Sequence, residues 1–434
     1  MRDLGAGAAA GGLTPTRRLG GRSIARHGQL EVTTPARSVF KFFSMAFAVL
    51  ATSSVVFGTI VWVNLFGGVS LVPSMPGESN VALPEIEGGI NVLIIGSDDR
   101  TGQGAEFGEG EEEASGVLND VNILIHIADD RSNATAVSIP RDTVVDTPAC
   151  TNDRGEQVPE QEAVPFNSIL HEGGVSCVVQ AAEAMSGLDV QYAAMVQFRG
   201  VIEMSNAIGG VEVCVSSPIE DDYVGLYLSE GVHSLKGEDA LKFLRTRHGV
   251  GDGSDLARIS NQQVFLSALL RQIKSGDTLT NPIKLYGLAR AATQNMTMTE
   301  NLNNLETLAQ LGNVVAKVPI EQIALVSLPV ASSDWGGKVE PKQPDADRMW
   351  ELLRNDASLT SSITSPGGSV DPSAVPPDGA EGSEGPSEPA DPADPGQGGD
   401  GAVGTDGQPG PSPEPSLNLT GQGASNESCS PGGG

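Results

Sequence analysis

The stretch NILIHIADDRSNATAVSIPRD (122–142) decides how this chain folds. Two apolar runs, NILIHIA (122–128) and ATAVSI (134–139), flank the polar turn DDRSN (129–133). Short runs rich in β-branched residues and divided by a turn form an antiparallel hairpin. Upstream, NVLIIG (91–96) is another apolar run that ends in glycine, which predicts a buried strand. Downstream, the pattern predicts helices over 175–186, 201–210, 237–247, 258–274 and 299–316, with strands near 191–198, 211–215 and 323–330. Interleaved strands and helices imply an α/β fold. The expected form is a three-layer α/β/α sandwich around a mixed, partly antiparallel sheet, spanning 90–335, with 336–364 as a peripheral segment.

The flanks differ from this core. Residues 1–41 hold seven Lys or Arg and two acids, and residues 365–434 hold eleven acids and neither Lys nor Arg. Subtracting both from the net charge of −29 leaves −23 on residues 42–364. Such an acidic chain lacks the basic footprint that nucleic acid requires, so no nucleic-acid partner is expected. Phe42 to Phe66 is almost uniformly apolar and would rise about 37 Å as a helix, enough to cross a membrane. The basic residues before it and the acids after it place 1–41 in the cytoplasm and the rest outside the cell. Residues 67–89 read as a tether. Residues 365–434, rich in Gly, Pro, Ser and acids, read as a disordered tail that buries too little apolar surface to offset ordering entropy.

Four cysteines suit an extracellular address: Cys150, Cys177, Cys214 and Cys429. A pair among the first three is compatible with a disulfide, and sequence does not choose the pairing. A buried free thiol is an equal reading for Cys214, in the strand-like VEVCV (211–215).

Five arginines stand out against the acidic background: Arg100 in GSDDR, Arg141 in SIPRD, and Arg245, Arg247 and Arg258 in FLRTRHGVGDGSDLAR (243–258). Planar guanidinium groups gathered from separate segments suit phosphate or pyrophosphate, which each grips with two hydrogen bonds. Aspartates among them suggest a divalent metal, or a base for a hydroxyl, beside that phosphate. Asp98 and Asp120, near strand ends, are the candidate metal ligands, and Asp142 or Asp255 the candidate base.

NVLIIGSDDR (91–100), NDVNILIHIADDRSNATAVSIPRDTVV (119–145), GLDVQYAAMVQFRGVIEMSNAIGGVEVCV (187–215) and GEDALKFLRTRHGVGDGSDLARISNQQVFLSAL (237–269) together resemble the LytR-CpsA-Psr family of membrane-anchored cell-wall enzymes. The resemblance implies a phosphotransferase that moves a glycopolymer from a polyprenyl-pyrophosphate carrier to a peptidoglycan hydroxyl, with Mg²⁺ and a groove for the lipid. On these positions, Asp98 and Arg100 match G-S-D-x-R, Arg141 and Asp142 match P-R-D, and Arg245 and Arg247 match R-x-R. Asp120 matches the aspartate of the second element, while Asp255, Arg258, Gln262 and Gln263 match the last. The resemblance implies that Arg100, Arg141, Arg245, Arg247, Arg258 and Gln262 hold the pyrophosphate and that Asp98 and Asp120 hold the metal.

Two places depart from the family pattern. Leu118-Asn119-Asp120-Val121 stands where R-S-D-T is common, and Ser260-Asn261-Gln262 where R-R-Q is common. One arginine is therefore absent at 118. Two rival functions remain: a hydrolase releasing phosphate from the same lipid, and a non-catalytic lipid-binding or regulatory envelope protein, which the absent arginine favours.

Overall fold

A computed structural model describes residues 35–66, 70–72, 88–98, 117–275, 282–302, 305–365 and 417–433. It divides into a unit ending at Val61 and a second unit from Trp62 onward. Arg100 and most of the expected tether lie outside the described residues.

Helix α1 (Pro35–Phe66) runs seven residues further upstream than its apolar core suggests. Pro35 fits the first helical position, where its missing N–H costs nothing. Within it, Val39–Ile60 is long and apolar enough to cross a membrane, and none of it is buried by the protein.

The second unit is built on a nine-stranded mixed sheet. In chain order its strands are β1 (Ser70–Val72), β2 (Ile90–Ser97), β3 (Asn119–Ile127), β4 (Ala134–Ser138), β5 (Tyr192–Val196), β6 (Met296–Thr299), β7 (Ile323–Ser327), β8 (Ile363–Ser365) and β9 (Leu419–Gly423). Their order across the sheet is β1-β6-β5-β2-β3-β4-β7-β9-β8. The expected hairpin is present: β3 and β4 pair antiparallel with Ile125 opposite Ala136. β2 pairs antiparallel with β3 and parallel with β5.

The period of two along each strand divides the core. Leu93, Ile95, Leu124 and Val137 face one side, under α2 (Ile169–Ser186) and α8 (Asp345–Arg354). Val92, Ile94, Ile125 and Leu325 face the other, toward α5 (Asp255–Lys274) and α7 (Leu305–Lys317). The expected sandwich is thus observed. His126 of β3 is buried, with Nδ1 2.8 Å from Asn91 Oδ1 and Nε2 3.0 Å from Asp356 Oδ1.

Three local expectations need correction. The segment read as a helix over 299–316 begins only at Leu305, after strand β6, and helix α6 (Pro282–Asn295) precedes that strand. The segment 336–364 is not peripheral, because Met349, Trp350 and Leu353 of α8 are buried in the main core. Nor is residues 365–434 a disordered tail throughout. Residues 366–416 lie outside the described residues, but β9 pairs antiparallel with β7, and Cys429–Ser430 pairs parallel with Val211–Val215. Low apolar content did not prevent this, since β9 pairs with the edge of β7 and Cys429 beyond it is covalently tied. The disulfides are Cys150–Cys177 and Cys214–Cys429, so Cys214 is not a free thiol.

Candidate active site

Three loop or helix-end segments converge beside the start of β3. SIPRD follows β4, where Thr143 N and Oγ1 both donate to the Pro140 carbonyl, at 3.0 and 2.7 Å, and fold the chain tightly. This turn aims Arg141 back across the hairpin, and its Nη1 lies 2.6 Å from Asp120 Oδ1 on β3. Arg245 is the last residue of α4 (Glu238–Arg245), and Arg247 follows it. After them, Gly251 and Gly253 take φ of 51° and 76°, a left-handed region open to glycine, and turn the chain into α5. Ser254 caps α5 by accepting from Ala257 N at 3.1 Å. Asp255, at that helix N-terminus where backbone N–H dipoles favour a carboxylate, and Arg258, one turn on, pair at 2.5 Å.

Asp255 is the centre of the cluster. Its Oδ1 meets Arg258 Nη2 at 2.5 Å, Arg247 Nη2 at 2.7 Å and Arg141 Nε at 3.7 Å. Arg258 Nη2 also donates to the Asp120 backbone carbonyl at 3.0 Å, which joins α5 to β3. Three guanidinium groups and the Lys338 ammonium around Asp120, Asp142 and Asp255 leave positive charge in excess. Asp255 Oδ2 and the Nε groups of Arg141, Arg247 and Arg258 are buried without a hydrogen bond. Buried donors in that state are suited to an incoming acceptor, such as a phosphate oxygen.

Asp142 occupies the cluster's flank. Its Oδ1 lies 2.5 Å from Lys338 Nζ and its Oδ2 3.5 Å from Arg141 Nε. Burial pushes its carboxyl up, but the Lys338 hydrogen bond and the charges of Arg141, Lys338 and Arg247 outweigh this and hold it below the usual carboxylate range. For Arg141, burial opposes protonation, yet the hydrogen bond and charge of Asp120 raise its affinity for the proton.

Behind the arginines opens a cavity of about 520 Å³. Ile94 and Ile123 of the sheet, Val201 and Met204 of α3 (Phe198–Ile208), Leu241 and Leu244 of α4, and Phe265, Leu266, Leu269 and Ile273 of α5 line it. Helix α5 therefore serves two purposes: Val264 and Ala268 are core, and its neighbouring apolar residues form the wall. Polar lining comes chiefly from Asp120, Arg141, Arg245, Arg247, Arg258 and Gln262. The Arg245 guanidinium lies 4.4 Å from the Phe198 ring centroid, in cation–π contact. Gln262 Nε2 donates to the Leu244 carbonyl at 3.0 Å, which secures the end of α4 that carries Arg245.

Asp98 is placed differently from the rest. Its Oδ1 accepts from Leu118 N at 2.8 Å across the β2–β3 pair, and it does not line the cavity. Among the described residues, no group of three or more His, Cys, Asp or Glu gathers as a metal cage. Asp120, partly exposed on the cavity wall, fits a magnesium ion that takes one protein carboxylate and otherwise phosphate and water oxygens.

Two functional neighbours escaped the sequence reading. Lys338 arrives from the hairpin that contains Val330–Ser332 and Val339–Pro341, some 200 residues after Asp142. Asp221 is 1% exposed; its Oδ2 accepts from Thr246 Oγ1 at 2.6 Å and from Arg247 N at 3.1 Å, fixing the backbone between the two arginines. Burial pushes the Asp221 carboxyl up, but these bonds and those from the Tyr223 and Val224 amides bring it below the usual range. An acid at an inward-facing position of the short strand Ile219–Asp221 was the available signal.

Comparison with known proteins matches this picture. The corynebacterial cell wall biosynthesis protein LcpA from Corynebacterium glutamicum is 30% identical over 275 residues, covering 58% of this chain and 52% of that protein. The Bacillus subtilis polyisoprenyl-teichoic acid–peptidoglycan teichoic acid transferase TagT is 31% identical over 241 residues, covering 53% of this chain and 68% of the relative. The chain thus spans about half the length of the corynebacterial protein. A Streptococcus agalactiae protein of known structure, gbs0355, shares the fold with a TM-score of 0.50 at 19% identity, over 62% of this chain and 88% of that one. The LytR_cpsA_psr family model matches residues 73–355, the segment that carries strands β2 to β7 and the arginine cluster, and the chain belongs to that family.

Proposed function

We propose that this protein is a membrane-anchored phosphotransferase of the cell wall. It moves a glycopolymer from a polyprenyl-pyrophosphate carrier to a peptidoglycan hydroxyl at the outer membrane face. The observation that carries this reading is an apolar cavity rimmed by Arg141, Arg245, Arg247 and Arg258. An isoprenoid chain belongs in the apolar part, and its pyrophosphate at the cationic rim. TagT, named as a teichoic acid transferase acting from a polyisoprenyl carrier, supports the same assignment. The apolar stretch Val39–Ile60 supports a single membrane anchor, and the basic residues before it support a cytoplasmic N-terminus.

The chemistry asks the protein for position and charge neutralisation more than covalent participation. The acceptor hydroxyl oxygen attacks the phosphorus that bears the glycopolymer. A new P–O bond forms, the P–O bond to the bridging oxygen breaks, and polyprenyl phosphate leaves. Arg141, Arg247 and Arg258 offer the Nε donors that meet the phosphate oxygens, and Arg245 adds charge at the rim. Asp255 takes the hydroxyl proton: its Oδ1 is held by the arginines, and its Oδ2 carries no hydrogen bond. Magnesium, when bound at Asp120, supplies further charge neutralisation on the phosphates; Asp98 holds the adjoining strand pair and is the second candidate ligand. Arg100, outside the described residues, is assigned to pyrophosphate binding on its motif alone.

The test is transfer from a pyrophosphoryl lipid to peptidoglycan by wild type, Arg141→Ala and Arg245→Ala. Loss of transfer in both variants, with folding retained, is expected. Wild-type rates in both would end this reading. Products formed with and without peptidoglycan separate transfer from hydrolysis, and lipid binding without turnover would identify a non-catalytic binder.

A further inference from the structure

Beside the arginine cluster stands an aromatic surface that phosphate chemistry does not use. Strands Ile219–Asp221 and Leu226–Leu228 form an antiparallel hairpin in which Glu220 and Tyr227 are cross-strand partners. Alternation buries Ile219, Asp221 and Leu226 and turns Glu220 and Tyr227 to solvent. At the hairpin turn Tyr223 is 82% exposed, and its ring stacks on His248 with centroids 4.1 Å apart and planes 19° from parallel. Tyr227, also exposed, donates its hydroxyl to Asp222 at 2.6 Å.

Single exposed apolar residues are ordinary and need no explanation. This group differs in two respects. The chain has only four tyrosines, and two of them are exposed on this one hairpin, one stacked on a histidine that directly follows Arg247. The hairpin is also tied to the cluster. The buried Asp221 carboxylate accepts from Tyr223 N at 3.0 Å through one oxygen, and from Thr246 Oγ1 and Arg247 N through the other. Val224, next to Tyr223, lines the same cavity as Arg247. One side chain therefore sets both the stacked rings and the arginine.

We propose that Tyr223, stacked on His248, is a saccharide subsite at the rim of the arginine cluster. A pyranose presents C–H bonds on its face, which pack on an aromatic ring through dispersion and apolar burial. Its hydroxyls donate at the edge to carboxylates, and Glu220 and Asp222 stand on this hairpin. The same acids disfavour a second phosphate there. The inference rests on the phosphotransfer reading, which brings a sugar to Arg247 from either of two sources: the glycopolymer on the donor pyrophosphate or the glycan of the acceptor.

The experiment uses the full chain with Tyr223→Ala, Tyr223→Phe and His248→Ala. It measures the Kd for a polyprenyl pyrophosphate without sugar, the Kd for the same lipid bearing a disaccharide, and the KM for a glycan-strand acceptor. Tyr223→Ala is expected to leave sugar-free binding and thermal stability at wild-type values. It should weaken sugar-bearing lipid binding or raise acceptor KM by roughly five- to tenfold, while Tyr223→Phe stays near wild type. A change in the first identifies the donor sugar, and a change in the second the acceptor glycan. Unchanged values in both arms would overturn the subsite. Equal weakening of sugar-free binding would overturn it too, by assigning Tyr223 to the support of Arg247. Failure of the wild-type protein to bind the sugar-free lipid would instead remove the phosphotransfer reading on which the subsite depends.

Discussion

Arg141 Nη1 lies 2.6 Å from Asp120 Oδ1, so the turn after β4 is bound to the start of β3 by a charged hydrogen bond. The two residues are 21 positions apart, and the β3–β4 hairpin brings their segments side by side. Pairing with Asp120 pre-orients the guanidinium, leaving its Nε at the centre of the cluster.

Arg141→Lys tests that geometry. An ammonium is a point charge without a planar fork, so it cannot hold Asp120 and a phosphate oxygen in the same arrangement. Transfer activity is expected to fall roughly tenfold or more, and the fall should be almost as large as that of Arg141→Ala. Restoration of wild-type kcat by lysine would show that only charge matters at this position.

Asp255→Asn is expected to be costly to stability as well as to transfer. Arg258 has a side chain 7% exposed, and its short ion pair with Asp255 compensates that burial. Removing one partner of such a pair costs about 3–5 kcal/mol, which corresponds to a fall in Tm of roughly 6–15 °C in a domain of this size. Thermal unfolding measures it. A Tm within a degree of wild type would mean that the arginines do not depend on this carboxylate.

Asp142 predicts a defined pH dependence. Its folded pKa is depressed, chiefly by Lys338 and Arg141 against the opposing effect of burial. A depressed carboxyl contributes stability that is present above its unfolded pKa of about 3.9 and is lost as pH falls through the lower folded value. The stability difference between wild type and Asp142→Asn should therefore be constant from neutral pH to about 5 and shrink below about 4. Lys338→Met should reduce that difference at neutral pH. Denaturant unfolding across the acid range distinguishes these cases from a difference that ignores pH.

The Cys214–Cys429 disulfide closes a separation of 215 residues and fixes the C-terminal strand pair beside the site. The double variant Cys214→Ser/Cys429→Ser is expected to lose roughly 2–5 kcal/mol of stability. Ser430, which hydrogen-bonds Asn261 of α5, and β9 should then exchange amide protons faster than the β2–β3 core. Hydrogen exchange that remains slow across 419–430 would show that strand pairing alone holds this segment.

The sequence by itself determined the central hairpin and the residue types gathered at the candidate site. Alternation in 122–139 predicted the β3–β4 hairpin because strand period and turn chemistry act over a dozen residues, within reach of one local reading. The same locality let the PRD and RTR motifs single out Arg141, Asp142, Arg245 and Arg247, since each lies in a turn or at a helix end whose residues are contiguous. Only the tertiary structure decided which of them meet. Asp255 was one of several aspartates in the sequence, and its place between Arg141, Arg247 and Arg258 comes from packing α5 against the start of β3. Asp221 and Lys338 carry no motif, and their roles arise from burial and from a hairpin far along the chain. Strand β9, LTGQG, lacks the apolar pattern of a strand. It forms because the edge of β7 offers unpaired backbone groups and because Gly421 admits a close approach, where a Cβ would meet the Leu325 carbonyl at 2.2 Å. Hydrogen bonds to a distant edge and contacts between distant side chains depend on topology, and no local window of residues contains them.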